Sequence, residues 1–247
     1  MKYVFIAFAT VLTVLSSCNN LTATNDAMNL NEKGLALSQQ REYGQAIALF
    51  LKAADTKGVS NSNKSEFFRN AAIAYAESMV ADSARYYYMK AATANSKDVY
   101  QYNVNMADVH LIDEKYADAL TCLEKAWAIN SNEIAVNNSL GLLYLGEYDP
   151  EILDPAKALK YNLKAHQINN DRSTKYVLAK NYYQLADLDN AERLFDELHR
   201  DFPNDSEYLM CLIVVSEEKG DLDKADLYLK KLQVNHPADY QSFIEME

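Results

Sequence analysis

The feature that most constrains this chain is a repeated interval between a seat on one segment and an alanine on the next. Twelve residues separate Gly34 from Ala46, Ala72 from Ala84, Ala107 from Ala119, Ala179 from Ala191 and Ile213 from Ala225, and seventeen separate Gly141 from Ala158. Around each pair, apolar and small residues recur at three and four positions, the helical period, with a polar break between the two halves. A spacing that persists while its neighbours change is what stacked helical hairpins require, because each hairpin buries the same contacts against the next. A Gly or Ala belongs where two helix backbones approach closely, and a large ring beside it fills the wedge left by the crossing angle. The 18 tyrosines, against one Trp, suit such seats. All four prolines fall between the helical segments, and no breaker demands a strand.

Read in order, the first unit runs from Leu30 to Ala53, and the second places Phe68, Ala72 and Tyr75 before Ala84, Tyr88 and Ala91. The fourth contains Leu140-Gly141-Leu142-Leu143-Tyr144, and the fifth Ala179, Tyr182, Ala191, Phe195 and Pro203. The sixth is degenerate, with Ile213 in the small seat and Ser216 in the tyrosine seat. These residues resemble the tetratricopeptide repeat, whose signature is Leu-Gly and Tyr on helix A, then Ala-x-x-x-Phe and Ala on helix B, often closed by Pro. The resemblance implies an all-α fold: a right-handed superhelical solenoid of about six helix-turn-helix tetratricopeptide repeats over residues 27–237, with a short capping helix over 238–247. The tail residues Tyr240, Phe243 and Ile244, at helical spacing, suit that cap.

Successive anchoring alanines lie 38, 35, 39, 33 and 34 residues apart, as their positions give, against the family's period of about 34. One insertion is the polar connection from Thr56 to Asn63. The other enlarges the fourth hairpin itself, from Gly146 to Pro155, where Asp154-Pro155 reads as an N-cap followed by a first-turn proline. That loop carries Tyr148, Ile152 and Leu153 and suits either a tolerated insertion or a secondary contact point.

The N-terminus has a different character. Lys2 precedes an apolar run from Tyr3 to Leu15, which ends in Leu15-Ser16-Ser17-Cys18 before polar residues. The run is too short to span a bilayer, which takes about 20 apolar residues, and matches an export signal. Its ending resembles the bacterial lipobox, which implies cleavage after residue 17, lipid on Cys18, and a polar tether over residues 18–26. From Asn19 to Asp26 that tether reaches about 29 Å at most when extended. The expected location is the bacterial cell envelope, most naturally the outer membrane. The remaining cysteines, Cys122 and Cys211, fall on different repeats and read as small core residues rather than a disulfide.

Chemistry of other kinds finds no support in the pattern. The formal charge of −11 disfavours nucleic acid and anionic lipid. His110, His166, His199 and His236 are dispersed, with no Cys or carboxylate at metal-ligand spacing, and Asp221 and Asp223 lack the rest of a calcium loop. There is no phosphate loop and no nucleophile elbow, so neither an enzyme nor a cofactor is expected.

The family resemblance implies that helix A of each unit lines a groove for an envelope protein or peptide. The residues it points to are Arg69 and Ile73 in the second unit, Asp108 in the third, Asn138 and Leu142 in the fourth, and Tyr176, Lys180 and Tyr183 in the fifth. Val104, Leu111, Leu145, Met210 and Val214 extend the same set, some of them equally suited to packing within their hairpins. Tyr176 and Tyr183 are the candidate anchors. Tyr100–Ile112 and Ile134–Gly146 contain no Lys or Arg, which argues against the clamp for a terminal carboxylate found in some relatives of this fold. The plan is similar to the lipoprotein subunit of the outer-membrane barrel-assembly machine and to the lipid-anchored pilotin of type IV pilus secretins. The alternative is glycan capture or a nutrient-uptake accessory role, for which the single Trp127 sits on a packing helix.

Overall fold

A computed structural model describes residues 24–245. The expected signal peptide, Cys18 and most of the tether lie outside the described residues, as do the last two residues. Thirteen helices follow in order among the described residues: α1 over 24–39, α2 Tyr43–Ala54, α3 Asn61–Glu77, α4 Ala81–Ala94, α5 Val99–Ile112, α6 Tyr116–Ile129, α7 Ile134–Tyr144, α8 Pro155–Ile168, α9 Arg172–Gln184, α10 Leu188–Asp201, α11 Ser206–Glu218, α12 Leu222–Asn235 and α13 Pro237–Ile244. Residues 24–26, expected as tether, already belong to α1. Contacts divide the chain into two compact units, one ending at Ile129 and the other beginning at Asn130. The first holds three helical hairpins; the second holds three more and then α13, which packs on α12.

The seats inferred from spacing are where the helices meet. Ala46, Ala84, Ala119, Ala158 and Ala191 have no exposed surface and Ala225 is buried, as are Ala72, Ala107, Gly141 and Ala179 on the facing helices. Ile213 and Ser216 are buried in the same seats of the last hairpin. A Cβ on Gly34 would lie 2.5 Å from the Phe50 ring, so the glycine is required by that close approach. In the fourth hairpin the ring is replaced by Asn162, whose Oδ1 lies 1.8 Å from where a Cβ on Gly141 would be. Asn162 Nδ2 donates to Asn181 Oδ1 at 2.9 Å, and Asn181 Nδ2 donates to the Pro155 carbonyl at 2.9 Å. A polar chain thus replaces the ring, and it also ties α8 to α9.

One turn closes all six hairpins. After α1, α3, α5, α7, α9 and α11 comes a residue with positive φ: Arg41, Met79, Glu114, Gly146, Ala186 and Gly220. The next amide then reaches back five residues, as in Glu42 N–H to Leu37 O, Val80 to Tyr75, Lys115 to His110 and Asp187 to Tyr182. This is the Schellman closure, and glycine is its usual occupant because other residues are strained there. Four of the six positions here carry that strain.

Aspartates start six of the helices. Asp98, Asp154, Asp171, Asp187, Asp205 and Asp221 each accept a backbone N–H of the first turn of their helix. Asp154 and Pro155 restart the chain after the enlarged fourth turn as the sequence implies, and a short 3₁₀ turn, Pro150–Ile152, lies within that insertion. No described helix is long and apolar enough to cross a membrane.

Candidate functional site

In the first unit the expected groove residues engage one another. Arg69 on α3 donates to Asp108 on α5 at 2.5 Å and to Asn105 at 2.9 Å, and its guanidinium lies 5.6 Å from the centre of the Tyr88 ring. Burial pushes the Asp108 carboxyl above its usual value, and Arg69 opposes that shift. Asn70 donates to Asn31 at 2.8 Å, which in turn donates to Glu66 at 3.3 Å, so polar links join α1, α3 and α5. Ile73 is 39% exposed, whereas Val104 is buried. Arg69 and Asp108 thus hold the helices in register and have their charges matched by each other.

The second unit is built differently. Tyr176, Lys180 and Tyr183 lie one helical turn apart on α9, and the insertion and α11 supply carboxylates to each of them. The Tyr176 hydroxyl donates to Glu207 and the Tyr183 hydroxyl to Glu218, both on α11. Lys180 donates to Glu147, in the enlarged turn, at 2.5 Å. Between these links opens an apolar cavity of about 250 Å³, whose walls are Phe195, Met210, Val214, Val215 and Phe243 with the two tyrosine rings. Five of the groove residues read from the sequence, Tyr176, Lys180, Tyr183, Met210 and Val214, therefore surround one space. Asn138 and Leu142, on α7, are half-buried and outside that lining, and Leu145 is buried.

Sequence reasoning missed Glu147, Glu207, Glu218, Cys211 and Phe243. Phe243 reaches the cavity from α13, so the capping helix also forms part of its wall. Cys211 had a legible signal, since it follows Met210 on the helix already expected to line a groove. The carboxylates had none, because each meets its partner at a separation of more than 30 residues.

The electrostatics favour an uncharged interior with an acidic edge. Burial first, with the nearby Glu207 adding to it, pushes the Cys211 thiol up to about 12, so it stays a neutral wall group at physiological pH. The hydrogen bond to Glu218, followed by burial, raises the Tyr183 phenol to about 12. Burial and then the bond to Glu207 raise that of Tyr176 as well. Both hydroxyls therefore stay protonated and donate to their carboxylates. Both described cysteines are free and half-buried. Burial and a neighbouring lysine, Lys175 for His166 and Lys231 for His199, lower those two imidazoles. Among the described residues no three His, Cys, Asp or Glu side chains come together as metal ligands.

Neither a family model nor a curated protein matches this sequence. Solved structures do resemble it. PilF of Pseudomonas aeruginosa aligns with 92% of this chain and all of its own, at 21% identity and a TM-score of 0.70. PilW, described as a widely conserved type IV pilus biogenesis factor, aligns with 88% of this chain and 98% of its own, at 15% identity and a TM-score of 0.72. YrrB, described as a tetratricopeptide-repeat protein with an unusual peptide-binding site, aligns with 70% of this chain and 86% of its own, at 21% identity and a TM-score of 0.57. These likenesses, with the helical hairpins described above, show that the chain has the all-α tetratricopeptide-repeat fold.

Proposed function

We propose that this protein is a non-enzymatic interaction scaffold of the bacterial envelope, anchored by lipid on Cys18, which holds a peptide or protein partner over the cavity of its second unit. The observation that carries the reading is the convergence of Tyr176, Lys180, Tyr183, Met210 and Val214 around one accessible apolar space. Large rings on a rigid helix bury much area at little entropic cost and commonly dominate binding energy. The description of YrrB by a peptide-binding site and that of PilW by pilus biogenesis support the class of role, the latter also an envelope setting for assembly or secretion. The lipobox reading of Leu15-Ser16-Ser17-Cys18 supports the anchor. Arg69 and Asp108, matched to each other, are better read as register-setting residues of the first unit than as ligand contacts.

The test is capture of a partner in cells that express either the native chain or the Tyr176→Ala, Tyr183→Ala double variant. Loss of a defined envelope partner from the variant, with its helical content intact, supports the reading; undiminished recovery refutes the site. Retention on polysaccharide during affinity electrophoresis would instead favour glycan capture.

A further inference from the structure

We infer that the cavity of the second unit takes one large apolar side chain of an extended peptide whose neighbouring residues are lysine or arginine; this rests on the scaffold role above and names the chemistry of the partner. Size comes first. At about 250 Å³ the space exceeds the roughly 150 Å³ apolar cavity that accepts benzene, so an aromatic ring or a branched aliphatic chain fits. Apart from Glu207 at its edge, the lining offers no free charge to a polar side chain: Lys180 is committed to Glu147, and Cys211 is neutral. Met210 adds an adaptable wall that can fit rings of differing shape.

The edge decides what flanks the anchor. Glu207 and Glu218 accept hydrogen bonds from tyrosine hydroxyls, which are neutral donors, and no Lys or Arg lies within ion-pair distance of either among the described residues. Their charges are therefore unneutralised, in contrast to the Arg69–Asp108 pair of the first unit. A second depression shares Tyr176 and Glu207 with the first and adds Asp171 to its lining. The one cation lining it, Arg172, is engaged by Asp205 and by the Tyr208 hydroxyl. A peptide carrying carboxylates beside its anchor would meet like charge on both sides, whereas a basic one would complete unpaired carboxylates. The excess of acidic residues over the whole chain steers approach in the same sense.

Fluorescence anisotropy on the detergent-solubilised full-length protein tests this with three labelled pentapeptides: Lys-Ser-Phe-Ser-Lys, Glu-Ser-Phe-Ser-Glu and Lys-Ser-Ala-Ser-Lys. The first should bind at least about tenfold more tightly than either of the others, and its advantage over the acidic peptide should shrink as salt rises from about 50 mM to about 500 mM. Glu207→Gln with Glu218→Gln, which keeps both hydrogen-bond acceptors, should weaken the basic peptide by about threefold to tenfold and leave the acidic one no weaker. Met210→Trp, which fills the space, should abolish the preference for phenylalanine. Equal binding of the basic and acidic peptides, or of the phenylalanine and alanine peptides, overturns the inference, as does a preference that survives both sets of substitutions. If the peptides fail while capture in cells still depends on Tyr176 and Tyr183, this inference falls and the scaffold reading stands; if capture is also independent of them, both fall.

Discussion

Replacing Gly141 with alanine probes the tightest seat in the second unit. In an ordinary helix the change stabilises by about 1 kcal/mol. Here the new methyl would sit 1.8 Å from Asn162 Oδ1, 2.7 Å from its Cγ and 3.2 Å from its Nδ2, so the amide must leave its place. Asn162 is 2% exposed and holds Asn181 at 2.9 Å, and moving it breaks a buried hydrogen bond at a cost of about 1–3 kcal/mol. Overpacking at a helix crossing adds about 1–3 kcal/mol. Set against the propensity gain, the net destabilisation is about 1–5 kcal/mol, centred near 3. The same substitution in an Asn162→Ala background meets no amide and should be neutral or stabilising by up to about 1 kcal/mol. Urea unfolding, with hydrogen exchange of the α7 and α8 amides as a local readout, measures both because repeat proteins need not unfold in one step. Equal costs in the two backgrounds, within about 0.5 kcal/mol, would refute the assignment of the glycine to the Asn162 contact.

Three further outcomes follow from the same structure. Ala186→Gly relieves a left-handed residue at φ 57° and should stabilise the second unit by about 0.5–1 kcal/mol in urea unfolding, once the greater chain entropy of glycine is subtracted. Burial pushes the Glu192 carboxyl up, but bonds from Lys219 and Lys224 outweigh it and hold the pKa below its usual value. Its stabilisation is therefore present above the unfolded carboxylate value and lost as pH falls from about 4.5 through the lower folded value; Glu192→Gln should flatten that part of the acid-unfolding curve. Cys18→Ala should release the protein from membranes on cell fractionation, and persistent membrane association would refute the lipid anchor.

The hairpin count and the fold were legible because spacing is imposed by backbone geometry: a close helix crossing needs Gly or Ala at Gly34, Ala72 or Ala119 whatever surrounds it. The identity of what fills each seat was less so. Asn162 occupies the ring seat, and only the three-dimensional chain of Asn162, Asn181 and the Pro155 carbonyl explains why. Nor do Arg41, Met79, Glu114 and Ala186 announce left-handed turns, since none is the glycine that the closure favours. The residues of α9 and α11 that line the cavity could be named because the family resemblance assigns helix A of each unit to a groove. What they do depends on cross-repeat partners: Asp108 neutralises Arg69, whereas Glu147, Glu207 and Glu218 define an apolar space with an acidic edge. The enlarged fourth turn, readable as a tolerated insertion, supplies Glu147, which pairs with Lys180.

The most direct test of the account is site-specific photocrosslinking in living cells, with the reactive group placed at Met210 in the cavity wall and, as a control, at Leu222, which is 67% exposed at the start of α12. The account predicts a discrete adduct with an envelope protein from position 210, its crosslinked segment carrying a large apolar residue beside lysine or arginine, and no such adduct from position 222. An adduct of equal yield from both positions, or none from 210 while the protein remains folded and membrane-bound, would contradict it.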